Sequence, residues 1–199
     1  MNNRRQEEAA ERPTGSKGRS RQRIVDAVVH LATEQGLEPT VDRVAEMAGV
    51  TTRTVFRHFN DTEALRREIV VDFQKQADAL RVPYDPERDW REQLDELVLR
   101  RTGIFERYTR HILWSQALRQ QSAVVEEDVQ AHIARLRASV ERRLPGSMVG
   151  NHIAFAALEV SLSWEVWLRL RRDQRLSVKE ATSVVQGLVD ALLEQQGVG

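Results

Sequence analysis

The spacing of apolar positions predicts helices along nearly the whole chain. From about Arg19 onward, apolar residues recur every third or fourth position, which is the period of an α-helix with one buried face. No segment shows the alternation of apolar and polar residues that a strand would require, and no internal repeat is visible. The pattern therefore predicts an all-α protein with about nine helices.

Two short helices joined by a tight turn are predicted from Thr40 onward. The Thr40 hydroxyl can cap the first helix, and Gly49 follows its last apolar position, where a left-handed residue is needed. Thr51 can cap the second helix, which turns Val55 and Phe59 inward. This is a helix-turn-helix, the arrangement that places a recognition helix in the DNA major groove. The side chains left on its outer face are Thr52, Arg53, Arg57 and His58.

Flanking segments extend this motif into a predicted head and separate it from a predicted body. A helix from about Arg19 to Gln35 precedes the motif, and Asp61 stands where a fourth helix needs an N-cap. Pro83 and Pro86 then interrupt the helical pattern. We therefore expect three regions, which are a disordered polar tail at 1–18, a DNA-binding head at 19–82 and a helical body at 83–199.

A basic run borders the predicted tail, at Lys17, Arg19, Arg21 and Arg23. It is either a solubilising segment or an arm that lies on phosphates or in the minor groove. Because short basic runs predict function loosely, both interpretations stay open.

The C-terminal part of the chain is rich in apolar residues. Residues 149–170 carry them around nearly the whole helical circumference, and a last helix from Ser177 has a wide apolar face. A lone recognition helix reads a short site, whereas two-fold symmetry doubles its contacts. We therefore expect these helices to form a homodimer interface. The alternative is that they only close the core of the monomer.

Composition narrows the classes of function. The 199 residues have a formal net charge of zero, so any attraction to nucleic acid must come from a local basic surface. The chain has no cysteine, which excludes disulfides and thiolate chemistry. It also lacks a run of eighteen apolar residues and a signal peptide, so we expect no membrane association and a cytoplasmic protein.

The chain resembles the TetR family of bacterial transcriptional regulators over about Ile24 to Leu65. The resemblance lies in the runs Thr40-Val-x-x-Val-Ala-x-x-Ala-Gly-Val-Thr, Thr54-Val-Phe-x-His-Phe and Glu63-Ala-Leu65. The remainder is similar only in helical architecture. The resemblance implies a homodimer with N-terminal DNA-binding heads and a helical ligand-binding body. It also implies binding to a palindromic operator, usually as a repressor, with release by a small molecule.

The resemblance also implies which side chains contact DNA. The start of the recognition helix would reach base edges, where arginine can pair with guanine and a threonine methyl can meet a thymine methyl. Its later residues, and the start of the preceding helix, would lie near phosphates. The first set is Thr51, Thr52 and Arg53, and the second is Thr40, Phe56, Arg57 and His58.

Two positions depart from the family pattern. Phe56 stands where the family commonly has tyrosine, so a hydroxyl contact to phosphate is missing. Thr62 stands where the family commonly has lysine; it can hydrogen-bond to a phosphate but carries no charge. Arg66 or Arg67, one turn later, is expected to compensate.

Catalytic and metal-binding motifs are absent from the sequence. The histidines are scattered, and there is no zinc-binding pair, phosphate loop or nucleophile elbow, so we expect neither an enzyme nor a cofactor or metal. A small-molecule pocket is expected among polar and aromatic residues of the body, although aromatic residues at helical spacing usually belong to the core. These candidates are Phe105, Tyr108, His111, Trp114, Phe155, Glu159, Leu162, Ser163 and Trp167.

Glu159 is the one carboxylate in an otherwise apolar or small segment from Ile153 to Trp164. It would anchor a basic or hydroxylated ligand, form a salt bridge to an arginine, or lie at an interface rim.

The sequence thus favours a ligand-responsive DNA-binding regulator, with two alternatives. One is a DNA-binding dimer without a small-molecule ligand, controlled by a protein partner; a body without a cavity would favour it. The other is a helical protein-interaction module that no longer binds DNA.

Overall fold

The computed structural model describes residues 16–35 and 38–198. In these residues the chain forms ten α-helices, one π-helical turn and no strand, which confirms the predicted all-α class. The helices are α1 Ser16–Gln35, α2 Val41–Ala48, α3 Thr52–His58, α4 Thr62–Ala79, α5 Trp90–Leu118, α6 Ala123–Glu141, α7 Gly146–Gly150, α8 His152–Ser161, α9 Trp164–Leu168 and α10 Val178–Gln195.

The described residues group into two compact units. The first unit is the described part of Met1–Lys75 together with Leu113–Glu126. The second unit is Gln76–Ile112 together with the described part of Glu127–Gly199.

The basic run is helical in the first unit. The predicted tail, residues 1–18, lies outside the described residues up to position 15, and α1 begins at Ser16. Lys17 to Arg23 therefore belong to a helix, because lysine and arginine are good helix formers and nothing in this run stops α1. On the inner face of α1, Ile24, Val28 and Leu31 are buried, as their spacing predicts.

Helix α5 begins where the proline-containing segment ends. The Asp89 carboxylate accepts a hydrogen bond from the Glu92 backbone N–H at 3.0 Å, which caps the helix. Tyr108 has a φ of −107° and a ψ of 15°, which is not helical, so α5 is interrupted there. The sequence pattern changes face after Thr109, one residue from this interruption.

The apolar segment 149–170 is not one helix. Asn151 caps α8 by accepting from the Ala154 N–H at 3.3 Å, and Ser163 caps α9 by accepting from the Val166 N–H at 3.3 Å. These side-chain acceptors divide the segment into α7, α8, α9 and the π-helical turn Arg169–Asp173. One face of α8 stays uncovered, with Ile153 70% and Val160 61% exposed.

The last helix begins where the sequence predicts. Ser177 and Glu180 form a capping box, in which the serine hydroxyl accepts from the Glu180 N–H and the glutamate accepts from the Ser177 N–H. Helix α10 packs against α8 and buries Ala181, Val185 and Val189. No helix in the described ranges combines the length and apolar character needed to cross a membrane.

Candidate nucleic-acid interface

The turn between α2 and α3 has the geometry that its sequence predicts. The Thr40 hydroxyl accepts from the Arg43 N–H at 3.4 Å and caps α2. Gly49 follows α2 with a φ of 62° and a ψ of 43°, a left-handed conformation that a β-carbon would strain. The Val50 N–H reaches back to the Ala45 carbonyl at 2.9 Å, which closes the end of α2 and sets the direction in which α3 begins.

Helix α3 is held on one side and open on the other. Thr51 caps it by accepting from the Thr54 N–H at 3.2 Å, and the two hydroxyls lie 3.0 Å apart. Val55 and Phe59 are 1% and 4% exposed, and burial of two such side chains contributes about 3–6 kcal/mol to holding α3 in place. The Arg21 guanidinium covers the Phe59 ring at 5.2 Å.

The eight predicted DNA-contacting residues lie on or beside α2, α3 and the start of α4, all in the first unit. Five of them are exposed, namely Thr40, Thr51, Arg53, Phe56 and Arg57. The other three, Thr52, His58 and Thr62, are partly buried.

The surroundings of His58 are locally positive, although the whole chain is neutral. Burial lowers the pKa of His58, and the nearby cations Arg57, Lys17 and Arg21 lower it further. Three cations near one imidazole make this side of the first unit a basic patch of the kind that attracts phosphate. Arg21 is partly committed to the fold, since it also pairs with Glu68.

Arg66 and Arg67 differ in their freedom to contact DNA. Arg66 bridges two carboxylates, Glu38 at 2.9 Å and Glu63, and its side chain is only 14% exposed. Arg67 is exposed, and the described residues offer it no ion-pair partner. Of the two arginines expected to compensate for the missing charge at Thr62, Arg67 is therefore the one that is free to do so.

Glu63 ties α4 to the loop before α6, within the first unit. The Ser122 hydroxyl donates to a Glu63 carboxylate oxygen at 2.8 Å. Burial alone would raise the pKa of Glu63, but hydrogen bonds from Arg66 and Ser122 outweigh it and lower the pKa. Nothing in the sequence pattern indicated this pairing, because the two residues are 59 positions apart.

The nine predicted ligand residues do not surround one space. Trp114 belongs to the first unit and the other eight to the second. Of the nine, only Phe105 lines a cavity of about 230 Å³ in the second unit. Phe105 also lines a separate gap, together with Leu162, Ser163 and Trp167, that is too small for a water molecule.

Several of these residues have structural partners. The Tyr108 hydroxyl lies 3.1 Å from the Gln76 side-chain oxygen, and the Trp167 indole N–H donates to Glu106 at 3.3 Å. Glu159 forms an ion pair with Arg137, which is one of the interpretations open from the sequence. The Arg137 guanidinium also lies over the buried Phe155 ring, 4.5 Å from its centre.

His111 is buried and neutral. Burial, with a smaller contribution from His132, lowers the pKa of His111 to about 3. Burial, together with Arg135 and Arg101, lowers the pKa of His132 to about 4. Among the described residues, no group of three or more histidine and carboxylate side chains is placed to hold a metal ion.

The cavity of about 230 Å³ is defined by the end of α4 and the segment after it, by α5 and by α6; we name it the α5–α6 cavity. Sequence reasoning missed most of its walls. One feature of the sequence could have indicated the cavity: Arg101 interrupts the apolar stripe of α5 between Val98 and Phe105, and it lines the cavity.

A short helix with a buried inner face and an exposed polar outer face, set by a left-handed glycine turn, defines a helix-turn-helix DNA-binding protein. Residues 24–69 match the family model described as bacterial regulatory proteins of the tetR family. This match to the TetR family of bacterial transcriptional regulators extends from within α1 to within α4, and so includes the whole helix-turn-helix.

Solved structures agree with this fold. A protein from Rhodococcus sp., assigned to the TetR family of transcriptional regulators, superposes with a TM-score of 0.65 at 16% identity, covering 87% of this chain and 98% of that one. A TetR transcriptional regulator from Rhodococcus sp. RHA1 gives 0.53 at 22% identity, covering 88% and 97%. A third, from Mesorhizobium loti MAFF303099 and assigned to the same family, gives 0.57 at 16% identity, covering 90% and 98%. A search of curated proteins finds no match.

Proposed function

We propose that this chain is a homodimeric transcriptional repressor that binds a palindromic operator and is released by a small molecule bound in the second unit. The observation that carries the proposal is the exposed start of α3, where Thr51 and Arg53 stand outward while Val55 is buried beneath them. Since its target is chromosomal DNA, we propose that it acts in the cytoplasm.

In the proposed complex, Arg53 reads a guanine through two hydrogen bonds and the methyl groups of Thr51 and Thr52 meet thymine methyls. Arg57 and Arg67 neutralise phosphates on either side of the groove. His58 stays neutral because of its lowered pKa, so it contributes a hydrogen bond rather than a charge.

Homodimerisation is supported by the uncovered apolar face of α8 and α10. On α8 the exposed residues Ile153 and Val160 are seven positions apart, so they lie on one side of the helix. On α10, Val184 and Leu188 are 38% and 42% exposed and four positions apart. Exposed apolar residues that cluster on two packed helices are typical of a protein interface, and a two-fold interface needs a self-complementary surface.

Control by a small molecule is supported by the α5–α6 cavity. A body without a cavity would favour the alternative, a dimer controlled only by a protein partner. The second unit instead contains a cavity of about 230 Å³. In the proposed mechanism, the ligand favours a conformation whose two recognition helices no longer fit successive major grooves. Operator affinity then falls by the ratio of the ligand's affinities for the two conformations.

A selection of bound sequences from random DNA tests the DNA-binding part of the proposal. We expect enrichment of a palindrome whose half-sites are one helical turn apart, or a multiple of it. Arg53→Ala should lose preference at one position in each half-site, whereas Arg88→Ala, with the same charge change on a residue paired with Glu96, should keep the motif. Failure to bind any DNA at low and moderate salt would instead favour the protein-interaction module.

A further inference from the structure

The walls of the α5–α6 cavity are strongly basic. Five arginines line it against a single acidic residue, Asp78. The remaining walls are mostly aliphatic or aromatic, so the cavity combines a cationic part with an apolar part. The arginines are Arg81, Arg100, Arg101, Arg135 and Arg142, and the larger apolar side chains are Leu80, Val82, Leu97, Ile104, Phe105 and Leu136.

Arg101 differs from the other arginines of the cavity because it is buried and forms no ion pair with any residue that the structure describes. Arg101 is only 4% exposed. Its guanidinium donates hydrogen bonds to the main-chain carbonyls of Leu136 at 3.0 Å and Leu162 at 3.5 Å. Its Nε–H has no hydrogen-bond partner in the described chain. Burial lowers the pKa of Arg101 to about 10, with Arg143 lowering it further and Glu159 opposing. A buried cation with an unused donor is costly unless something else compensates it.

Arg143 shows what a buried structural arginine looks like in the same unit. It is 1% exposed, and its Nε–H, like that of Arg101, has no hydrogen-bond partner among the described residues. Its two Nη atoms, however, donate to three main-chain carbonyls, those of Ser139, Val82 and Pro83, at 2.7–3.0 Å. Those bonds fix the chain segment after α4, and Arg143 does not line the cavity. Arg101 donates to two main-chain carbonyls rather than three, and it lines the cavity. A purely structural role therefore accounts for the burial of Arg101 less well than for that of Arg143.

The positive charge of the other cavity arginines is only partly neutralised by ion pairs. Arg81 is paired with Asp78 at 3.0 Å, and Arg135 reaches Asp128 only at 3.8 Å. Arg100 and Arg142 are exposed, and within the described ranges neither has an ion pair. His132, also in the wall, adds no charge at neutral pH because its pKa is lowered to about 4.

We propose that the α5–α6 cavity binds a small anionic amphiphile, with its carboxylate or phosphate on Arg101 and its hydrocarbon or aromatic part against the apolar wall. The inference rests on the proposed function, in which the second unit binds a small molecule. An arginine fork matches the paired oxygens of either anion, and Arg100 and Arg142 supply further attraction at the exposed side. The volume of about 230 Å³ is below the usual range for drug-sized ligands, so the ligand is small.

Stabilisation of the full-length protein by three probes tests the charge requirement. Octanoate and octyl phosphate carry the two anionic heads on one hydrocarbon chain, and octan-1-ol is the uncharged control. We expect at least one anion to raise the melting temperature in a saturable way and to bind about tenfold or more tightly than octan-1-ol, as expected for a charge-assisted bidentate contact. The preferred anion distinguishes a carboxylate from a phosphate ligand.

Two variants locate the effect. Arg101→Met should weaken anion binding about tenfold or more and should raise the melting temperature of the ligand-free protein, because it removes an uncompensated buried cation. Arg107→Met makes the same charge change at an exposed position of α5 that does not line the cavity, and should leave anion binding unchanged. If Arg101→Met does not fold, Arg142→Met, at an exposed position, should still weaken anion binding several-fold.

The inference is overturned if neither anion stabilises the protein more than octan-1-ol, or if the cavity variants bind the anions as tightly as the parent. Operator binding is measured separately. If the anions bind through Arg101 but do not change operator affinity, the ligand class stands and ligand control of DNA binding fails. If no DNA is bound at all, the proposed regulator fails while the anion measurement still decides the nature of the cavity.

Discussion

The uncovered face of α8 allows the proposed dimer to be tested quantitatively. Ile153 and Val160 are 70% and 61% exposed, and complete burial of such an aliphatic side chain contributes about 1.5–3 kcal/mol. Covering the exposed fraction of each would therefore contribute about 1–2 kcal/mol, and two-fold symmetry repeats both residues in the interface. Replacing both by serine should thus weaken the dimer by up to about 4–8 kcal/mol.

This loss corresponds to a dimer Kd that is higher by about 10³–10⁶-fold. Sedimentation equilibrium at micromolar concentration should show dimers of the parent and monomers of the Ile153→Ser, Val160→Ser variant, with helical content preserved. Affinity for a palindromic site should fall with the dimer, because one recognition helix makes half of the contacts. Leu99→Ser removes an apolar residue that is 53% exposed on α5 and should leave association unchanged. A double variant that stays dimeric would refute the assignment of this face.

Further predictions concern single residues. Arg53→Ala should cost about 1–3 kcal/mol of operator binding at one base position, measured by anisotropy; equal loss on all sequences would make Arg53 a phosphate contact. Thr62→Lys should steepen the salt dependence by about 0.9 per phosphate contact and per head; an unchanged slope would place Thr62 away from DNA. Glu63→Gln should destabilise the protein at neutral pH, and the difference should vanish as the pH falls through the lowered pKa of Glu63, since protonation removes the carboxylate's contribution; a difference independent of pH in denaturant titrations would contradict this. His111 and His132 have pKa values lowered to about 3 and 4 in the folded protein, so the unfolded chain binds protons first as the pH falls. The free energy of unfolding should therefore decrease below about pH 6.5, by up to about 1.4 kcal/mol per pH unit for each histidine. His111→Gln should make this decrease less steep, and an unaltered slope would refute the prediction.

The helix-turn-helix was predictable because everything that determines it lies within twenty residues. The caps at Thr40 and Thr51, the left-handed Gly49 and the inward Val55 each act on neighbouring backbone. Local hydrogen bonds and one helical period therefore suffice to specify this segment.

The ligand cavity was not predictable in the same way. Its walls come from segments that are up to 65 positions apart, from Ala77 to Arg142. An aromatic residue at helical spacing looks the same whether it lines a cavity or fills a core. Trp167 and Leu162 turned out to be closely packed, whereas Arg101, at an apolar position of the α5 stripe, faces the cavity. The partner of Glu159 could not be predicted either, because it is Arg137 on α6, and the sequence pattern around Glu159 does not indicate which helix lies beside it.

The cap of α3 has a consequence for which base edges Thr51 can recognise. A hydroxyl has one proton and two lone pairs, and the Thr54 N–H already occupies one lone pair of Thr51. If the Thr54 hydroxyl donates across the 3.0 Å separation, it takes the second, and Thr51 retains only its proton. In the proposed complex Thr51 is then a pure donor, which suits guanine O6 or N7 and thymine O4 but repels the amino groups of adenine and cytosine. Thr54→Val would return a lone pair to Thr51 and broaden the set of bases tolerated opposite it.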